Sequence, residues 1–335
     1  MNYMASESKD SMSHLLKEEN SRLTVFPINK AYKPIWDLYK KMQAAFWTAE
    51  EIDWSKDKYD FVKLNSDEQK FIKYILAFFA ASDTIVNINL GERLARETKP
   101  LEAQIAYAFQ MMIENVHAEV YALQIDNIIT DLEEKKYILN AVENVNCIKK
   151  KAEWMLKWVT STESYAKRLV AQCIAEGLFF SGSFCAIFWL KKKNIMPGLI
   201  SSNELIARDE GMHCEYSIML YEMLEDELKL NEEDIHEMFK EAVETEKIFI
   251  CESLPCSLIG MNADLMEEYI KFVADGLIKD LGYSKLYNVE NPFTWMEALS
   301  IEGKTNFFEH RPTQYQRADV LNKTKNEAFV IDEDF

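Results

Sequence analysis

The sequence has few of the residues that interrupt helices. Its 335 residues include only 9 glycines and 7 prolines. Sheet-rich folds need many turns, and turns depend heavily on these two residue types. Apolar residues also recur three and four positions apart along most of the chain, which is typical of helices. We therefore predict an all-α protein, and a hydrophobic content of 48% is enough for a sizeable core.

Positive charge is also in short supply. The chain has 38 lysines and arginines against 56 aspartates and glutamates, which gives a net charge of −18 and a pI of about 4.8. Such an acidic protein is poorly suited to nucleic acid or to an anionic membrane surface, so we expect neither as a partner. The charge favours a basic partner surface instead.

Motifs for disulfides, structural zinc and secretion are absent as well. The six cysteines form no C-x-x-C pair, and most lie in apolar helical stretches. We interpret them as reduced residues of the core. The first thirty residues are polar and charged and do not resemble a signal peptide. These features together predict a cytoplasmic protein.

One apolar run is long enough to cross a membrane. Leu169–Leu190 contains 22 residues and a single formal charge, Glu176. A carboxylate near the middle of a bilayer is costly, and the run also contains Gln172 and two serines. We therefore predict that this run is a central helix of a large bundle.

The chain divides into three predicted parts, which are a frayed segment (1–20), a helical domain (21–315) and a flexible tail (316–335). Ser66–Gln69 matches a capping box and predicts a helix that continues to about Arg96. Ser55–Lys63 is charged and is predicted to be a connector. Further helices are predicted at residues 34–47, 101–130, 133–160, 162–192, 202–226, 231–254 and 263–281.

Two Glu-x-x-His pairs point to a metal centre. Glu114 and His117 are three residues apart, as are Glu210 and His213, so each pair shares one face of a helix. A third copy, Glu233–His236, follows Asn231, which resembles an N-cap. We assign that copy to a solvated first turn without metal.

Two isolated acids complete the pattern. Asp83 is the only charge within Ile75–Leu90, and Glu176 is the only charge in its own apolar run. A buried carboxylate needs a nearby cation, and a metal ion is one that could serve both acids. The alternation of single acid and Glu-x-x-His pair predicts a ferritin-like helical bundle with a di-metal carboxylate centre.

The aromatic residues near these acids are ambiguous by spacing alone. Tyr121 lies four residues after His117 on the same helix face, yet most helical tyrosines only fill the core. Trp47 and the run around Phe180 and Phe184 are, by the same reasoning, ordinary packing residues.

Taken together, the motifs resemble the small, radical-generating subunit of class I ribonucleotide reductase, of the eukaryotic or viral type. The resemblance extends from about residue 21 to the C-terminus. It rests on Phe26–Ile28, Phe46–Glu51, Leu76–Asp83, Ile113–His117, Glu176, Phe179–Phe184, Met196–Leu199, Arg208–His213 and Gly303–Glu309.

The resemblance implies a set of metal ligands and a radical site. Asp83, Glu114 and His117 would bind one iron, while Glu176, Glu210 and His213 would bind the other, with Glu114 bridging. The expected cofactor is an oxo-bridged pair of iron ions in each chain, and the ligand types also suit manganese. Oxygen would react at the metal pair, and a stable radical would form on Tyr121. The dry pocket around that radical would be lined by Phe180, Phe184 and Ile206.

The resemblance also implies partners. Trp47, Asp209, His117 and Tyr315 would transfer the radical to a large subunit, where ribonucleotides are reduced to deoxyribonucleotides. Asp209 would accept a hydrogen bond from the far nitrogen of His117. The tail, Asn326–Phe335, would dock on the large subunit by ordering into a groove. A homodimer is expected on the same basis.

Two positions depart from the family pattern. Thr84 replaces a glycine beside Asp83, and Ile88 replaces an acid one turn later. Because Thr84 adds bulk and a hydroxyl group, we expect it to affect the coordination by Asp83 and the lifetime of the radical.

Three functional classes are therefore considered. The first is the reductase subunit, and the second is another ferritin-like di-iron oxidase or an iron store. The third is a helical assembly protein in which the acids only pair with lysine or arginine. Tyr121, Tyr315 and the aromatic, acidic tail favour the first class, because the other two do not need them.

Overall fold

The computed structural model describes residues 13–17, 22–253 and 263–293, and every regular element in this part of the chain is helical. Three single 3-10 turns lie at Lys30–Tyr32, Ala49–Glu51 and Asp226–Leu228, and a π turn at Leu90–Leu94 joins α3 to α4. In chain order the helices are α1 (Lys33–Ala44), α2 (Asp57–Phe61), α3 (Ser66–Asn89), α4 (Ala95–Glu97), α5 (Leu101–Ile128), α6 (Leu132–Leu139), α7 (Ala141–Asn144), α8 (Asn146–Val159), α9 (Tyr165–Gly177), α10 (Ser181–Lys193), α11 (Pro197–Glu222), α12 (Glu232–Ser253) and α13 (Ala263–Asp280).

Four helices form the centre of the bundle. α3 packs along α5, α9 packs along α11, and α5 contacts α11, so the two pairs face each other. α8, α10, α12 and α13 pack around these four helices. Because all four central helices are long and largely buried, they provide fixed positions for polar side chains that point inward. The prediction of an all-α, ferritin-like bundle is confirmed.

Local capping explains where the helices begin. α3 begins at Ser66, one residue earlier than predicted, because its cap is Asn65, whose side chain accepts hydrogen bonds from the backbone amides of Asp67 and Glu68. The predicted capping box at Ser66 is therefore wrong by one position. The predicted cap of α12 is correct, since the Asn231 side chain accepts from the Asp234 amide at 2.8 Å.

Several predicted boundaries differ from the structure. Residues 133–160 form three helices, α6 to α8, and residues 162–192 form two, because the chain turns at residues 178–180. The long apolar run is therefore not one straight helix. α11 begins at Pro197 rather than at residue 202, with the proline at its first position. The predicted connector contains α2, whose Asp57 is fully buried.

Asp57 fixes the beginning of α11. Its carboxylate accepts hydrogen bonds from the amides of Gly198 (2.9 Å) and Leu199 (2.7 Å), and from the side chain of Gln124 (2.9 Å). A carboxylate at a helix N-terminus satisfies amides that have no partner within the helix. A side chain at position 198 would collide with the Asp53 carbonyl oxygen at 2.7 Å, so glycine is required there.

The segment at residues 13–17 packs on the bundle, although the sequence predicts a frayed end. Leu15 is fully buried, and its carbonyl oxygen accepts a hydrogen bond from the Lys99 amide at 2.8 Å. His14 contacts Glu225 at 3.1 Å. His14 and Leu15 therefore contact the chain just after α11 and just after α4.

Within the described residues, two segments have the length and hydropathy of a membrane span. In Ser66–Glu97, 61% of the apolar window is buried inside the protein, and in Tyr165–Lys191 the share is 94%. The second segment includes the turn between α9 and α10. Burial of this extent is what core helices of a bundle show, as the sequence predicts.

Candidate metal centre

The six predicted ligands meet in the middle of the bundle. Each of their residues is at most 2% exposed. Their side chains form two groups within which ligand atoms lie no more than 4.8 Å apart. One group contains Asp83, Glu114 and His117, and the other contains Glu114, Glu176, Glu210 and His213. Glu114 belongs to both groups, which is the position that a bridging carboxylate would occupy.

Both imidazoles turn the same nitrogen toward the carboxylates. His117 Nδ1 lies 3.3 Å from Glu114 Oε2 and 3.0 Å from Glu210 Oε1. His213 Nδ1 lies 2.8 Å from Glu114 Oε1 and 3.2 Å from Glu210 Oε2. The Nδ1 atoms therefore face the space that is shared with the acids, and they are the nitrogens available to a metal.

The buried oxygens have the chemistry of a cation site. Asp83 Oδ2 and Glu176 Oε2 are buried and have no hydrogen-bond donor in the described part of the chain. Oxygen atoms withdrawn from water without a donor are costly, and a bound cation removes that cost. Mixed carboxylate and imidazole ligands suit iron or manganese better than structural zinc. The residues present therefore fit a pair of divalent metals.

Without metal, protons balance the charge of this centre. Burial, with the neighbouring carboxylates, raises the pKa of Asp83 and of Glu176 well above the usual range. Burial alone would lower the pKa of both imidazoles. Hydrogen bonds to Asp209, Glu114 and Glu210 nevertheless raise the pKa of His117 well above its usual value, and Glu114 and Glu210 raise the pKa of His213 to about 10. The metal-free centre therefore holds protons that a metal would displace.

Amide side chains hold Glu176 from one side. Its Oε1 accepts from Gln110 Nε2 at 2.8 Å and from Gln172 Nε2 at 2.5 Å, and Gln172 in turn accepts from Asn89 at 2.8 Å. Two donors on Oε1 leave Oε2 directed to the metal position. Our interpretation of the sequence missed these amides. The available signal is that Gln172 lies four residues before Glu176 and Gln110 four residues before Glu114.

A second network orients His117. Asp209 Oδ2 accepts from Trp47 Nε1 at 2.7 Å and faces His117 Nε2 at 3.3 Å. Arg208 binds the other oxygen, Oδ1, through two nitrogens at 3.0 and 2.8 Å, and also donates to the Ala45 carbonyl at 2.6 Å. Burial raises the pKa of Asp209, but the Arg208 charge and the His117 hydrogen bond outweigh it, so the net pKa is lowered. An ionised Asp209 keeps the proton of His117 on Nε2 and leaves Nδ1 for a metal.

Tyr121 lies in an apolar pocket next to this centre. The residue is 1% exposed, and its hydroxyl has no hydrogen-bond partner among the described residues. Burial, followed by the charge of Asp83, raises its pKa well above 10. The ring that stacks on it belongs to Phe79, with centroids 4.7 Å apart, and Phe79 then contacts Phe180 and Phe184. The sequence interpretation named Phe180 and Phe184 but missed Phe79, which lies four residues before Asp83.

The structure also gives the exposure and contacts of other residues that the sequence analysis names. Ile206 is fully buried on α11, four residues before Glu210. Thr84 and Ile88 are exposed on the outer face of α3, whereas the Asp83 carboxylate is buried, so the bulk of Thr84 lies on the side away from it. His236 donates a hydrogen bond to the Ser284 carbonyl at 2.8 Å, and Glu233 is exposed.

Tyr315 and the tail Asn326–Phe335 lie outside the described residues.

Comparison with known proteins identifies the family. Residues 22–292 match the family described as ribonucleotide reductase, small chain. The chain is 50% identical over 329 residues to a ribonucleoside-diphosphate reductase small chain of Plasmodium falciparum, covering 98% of this chain and 93% of the relative. It is also 50% identical to the small chain of Variola virus over 324 residues, covering 97% of this chain and 100% of the relative.

A solved structure agrees with these relatives. The ribonucleotide reductase Rnr4 homodimer from Saccharomyces cerevisiae superposes with a TM-score of 0.78 at 38% identity, covering 88% of this chain and 93% of that one. The family match, the two relatives and this shared fold rule out an unrelated helical assembly protein. The chain belongs to the ribonucleotide reductase small-chain family, whose enzyme is the oxidoreductase ribonucleoside-diphosphate reductase.

Proposed function

We propose that this small chain generates a tyrosyl radical on Tyr121 with two iron ions that are held by Asp83, Glu114, His117, Glu176, Glu210 and His213. The observation that carries this proposal is the position of Tyr121. Its phenol is buried and free of hydrogen bonds within the described residues, and it adjoins a cluster of four carboxylates and two imidazoles. Other di-iron oxidases and iron stores have no need for a phenol that is isolated in this way.

The chain's own residues would act in three ways. When bound, the metal pair supplies the reduction of dioxygen and a one-electron oxidant. Tyr121 would lose one electron and its phenolic proton toward the acids of the centre, whose charges, after burial, raise the pKa of the phenol. Phe79, Phe180 and Phe184 exclude water from the pocket, which protects the radical from reduction.

The radical would then leave the site through the network around Asp209. Trp47 and His117 both contact the same carboxylate oxygen, so a continuous path of hydrogen bonds connects the metal position to the indole. Trp47 is 2% exposed and stacks on His117, with ring centroids 6.0 Å apart. Beyond Trp47 we propose Tyr315 as the next step toward the large subunit, where ribonucleotides become deoxyribonucleotides for DNA synthesis.

Electron paramagnetic resonance tests the radical directly. Metal-free protein receives Fe(II) and then oxygen, and the spectrum is recorded at low temperature. We expect a tyrosyl doublet that is lost in Tyr121→Phe. The matched control is Tyr107→Phe, because Tyr107 is another fully buried tyrosine of α5 with an unpaired hydroxyl. A doublet that survives in Tyr121→Phe, or iron uptake without any radical, would contradict the proposal.

Metal identity needs its own measurement. The ligand types suit manganese as well as iron, and we propose iron. Metal-free protein is loaded with each metal in parallel, exposed to oxygen and analysed for metal content and radical. We expect about two metal ions per chain in both cases but a radical with iron alone. A radical that forms only with manganese would overturn the assignment.

The proposed partners are the large subunit and a second copy of this chain, in the cytoplasm. The acidic tail Asn326–Phe335 carries Phe329 and Phe335, which suits a segment that orders in a groove on the large subunit. A synthetic peptide of these ten residues should inhibit ribonucleotide reduction by competing with the chain. The same composition in scrambled order is the control. Equal inhibition by both peptides would refute tail docking.

A further inference from the structure

Two cysteines lie in contact between the helices that carry the second group of acids. Cys173 is on α9 and Cys214 is on α11, and their sulfur atoms are 3.5 Å apart. Both are buried, with exposures of 0% and 6%. The Cys214 thiol also lies 3.8 Å from the Cys173 carbonyl oxygen.

The space around Cys214 depends on a glycine. A side chain added at Gly177 would place its first carbon 2.8 Å from the Cys214 sulfur. Gly177 lies one turn after Cys173 on the same helix, so the chain leaves room for two sulfurs at this crossing. A disulfide has a bond of about 2.05 Å, and the two sulfurs must therefore approach by about 1.5 Å. Side-chain rotation with a small helix shift can supply a movement of that size.

We propose that Cys173 and Cys214 are a peroxide-oxidisable dithiol whose disulfide cross-links α9 to α11. The co-reactant is hydrogen peroxide. One thiol attacks a peroxide oxygen and becomes a sulfenic acid, while its proton and the leaving hydroxide form water. The second thiol then attacks that sulfur and displaces a second water. Two thiols are oxidised, one peroxide is reduced to two waters, and no further reductant or oxidant is needed.

The cross-link would act on the metal centre. Cys173 lies one turn before Glu176, and Cys214 directly follows His213. Metal–ligand distances in proteins lie within about 0.2 Å of their standard values. The helix shift that accompanies closure of the disulfide would therefore misplace Glu176 and His213 relative to a shared metal. The effect on iron rests on the proposed function, in which Glu176, Glu210 and His213 hold one iron ion. In the disulfide form that iron is lost. Oxidation would thus stop radical generation reversibly, and a thiol reductant would restore it.

Peptide mapping tests the cross-link. The full chain, with and without iron, is treated with hydrogen peroxide, unfolded in the presence of an alkylating agent and digested without reduction. We expect one cross-linked pair of peptides, which joins Cys173 to Cys214. Its mass should be about 2 Da below the summed masses of the two peptides with free thiols. Cys173→Ala and Cys214→Ala should each abolish it. The matched control is Cys147→Ala, which removes a buried thiol of α8 and should leave the cross-link unchanged.

Two results would overturn the cross-link. In the first, both cysteines stay alkylatable at peroxide levels that already oxidise the exposed Cys251. In the second, Cys147→Ala removes the cross-linked peptide as well. Either result would leave the pair as ordinary packing.

Iron content separates this inference from the proposed function. In the oxidised form we expect iron to fall from about two ions per chain to about one, with recovery after reduction. Full iron content in cross-linked protein would overturn the effect on the metal centre. If reduced protein binds no iron at all, the proposed function fails, while the peptide map still decides the cross-link.

Discussion

A buried ion pair beside the phenylalanine pocket offers a quantitative test of the packing. Lys151 Nζ lies 2.5 Å from Glu246 Oε2, and both side chains are fully buried. The ammonium also donates to the Phe179 carbonyl at 2.5 Å and lies 3.6 Å from the centre of the Phe78 ring. Burial lowers the pKa of Lys151 to about 8, although Glu246 opposes this change. Burial likewise raises the pKa of Glu246 to about 7.

Removing one partner should be far more costly than removing both. Glu246→Gln keeps the side-chain shape but removes the negative charge that favours a protonated Lys151. The buried lysine is then either an unpaired ammonium ion or an amine that has lost its proton, and either costs about 3–5 kcal/mol of unfolding free energy. Lys151→Met should cost a similar amount. The double variant Lys151→Met/Glu246→Met leaves no charge at this site. Its main cost is that the Phe179 carbonyl loses its hydrogen-bond donor, which lowers the free energy of unfolding by about 1–3 kcal/mol. We therefore expect a coupling energy of at least about 3 kcal/mol.

The pH dependence has a definite sign. The folded pKa of Glu246 is raised from 4.5 to about 7, so its contribution to stability is complete below pH 4.5 and is lost as the pH rises to about 7. The folded pKa of Lys151 is lowered from 10.5 to about 8, so the unfolded chain binds the extra proton and stability increases between pH 8 and 10.5. The ion pair therefore lowers the free energy of unfolding most near pH 7 to 8. The plot of that free energy against pH should lack this minimum in the double variant.

Urea denaturation of the metal-free protein, followed by far-ultraviolet circular dichroism, measures each free energy. The matched control is the Lys33–Asp37 pair, which has the same 2.5 Å separation but side chains that are 62% and 54% exposed. Its removal should cost less than about 0.5 kcal/mol. Single losses at Lys151 and Glu246 below about 1 kcal/mol, or losses that simply add in the double variant, would refute the reasoning.

Three further predictions concern the rest of the centre. Asp57→Asn should lower the unfolding free energy by about 1–3 kcal/mol in the same urea assay, because one amide oxygen cannot replace a carboxylate that accepts three hydrogen bonds; an unchanged free energy would contradict the anchoring of α11. Trp47→Phe should leave the Tyr121 doublet intact but reduce ribonucleotide reduction with the large subunit by about 10–100-fold, because Asp209 loses a donor; full activity would exclude Trp47 from the path. Binding of two Fe(II) ions should release protons, measured by pH-stat titration, because the pKa values of two acids and two imidazoles are raised in the metal-free centre; metal affinity should therefore rise with pH, and uptake without proton release would contradict the charge balance.

The sequence predicts six residues that the fold brings together, because two of them are the only charges in apolar runs and the other four form two Glu-x-x-His pairs. Their supporting residues could not be predicted in the same way, because amides and phenylalanines are common in any helix. Only the folded chain shows that Gln110 on α5 crosses to Glu176 on α9 rather than to Glu114 on its own helix. The pairing across helices depends on how the helices are rotated against each other, and that rotation is not written in local periodicity.

Helix breaks were the other feature that the sequence could not supply. The turn at residues 178–180 contains Leu178, Phe179 and Phe180, which continue the apolar pattern, and the glycines on either side, Gly177 and Gly182, do not by themselves end a helix. The break leaves the Phe179 carbonyl without a helical donor, and Lys151 Nζ takes its place from α8. A distant lysine thus stabilises the turn, so tertiary contacts decide here where local propensity favours one long helix.

A shared rule of helix geometry connects the ligands to their surroundings. Side chains lean toward the N-terminus of a helix, so the residue four positions before a ligand lies beside it. Asp83 and Glu210 have the apolar Phe79 and Ile206 at this position, whereas Glu114 and Glu176 have Gln110 and Gln172. Phe79 stacks on Tyr121, and both amides donate to Glu176. The centre therefore has an apolar side at the Tyr121 phenol and a polar side at Glu176, and this division keeps hydrogen-bond donors away from the residue on which we propose the radical.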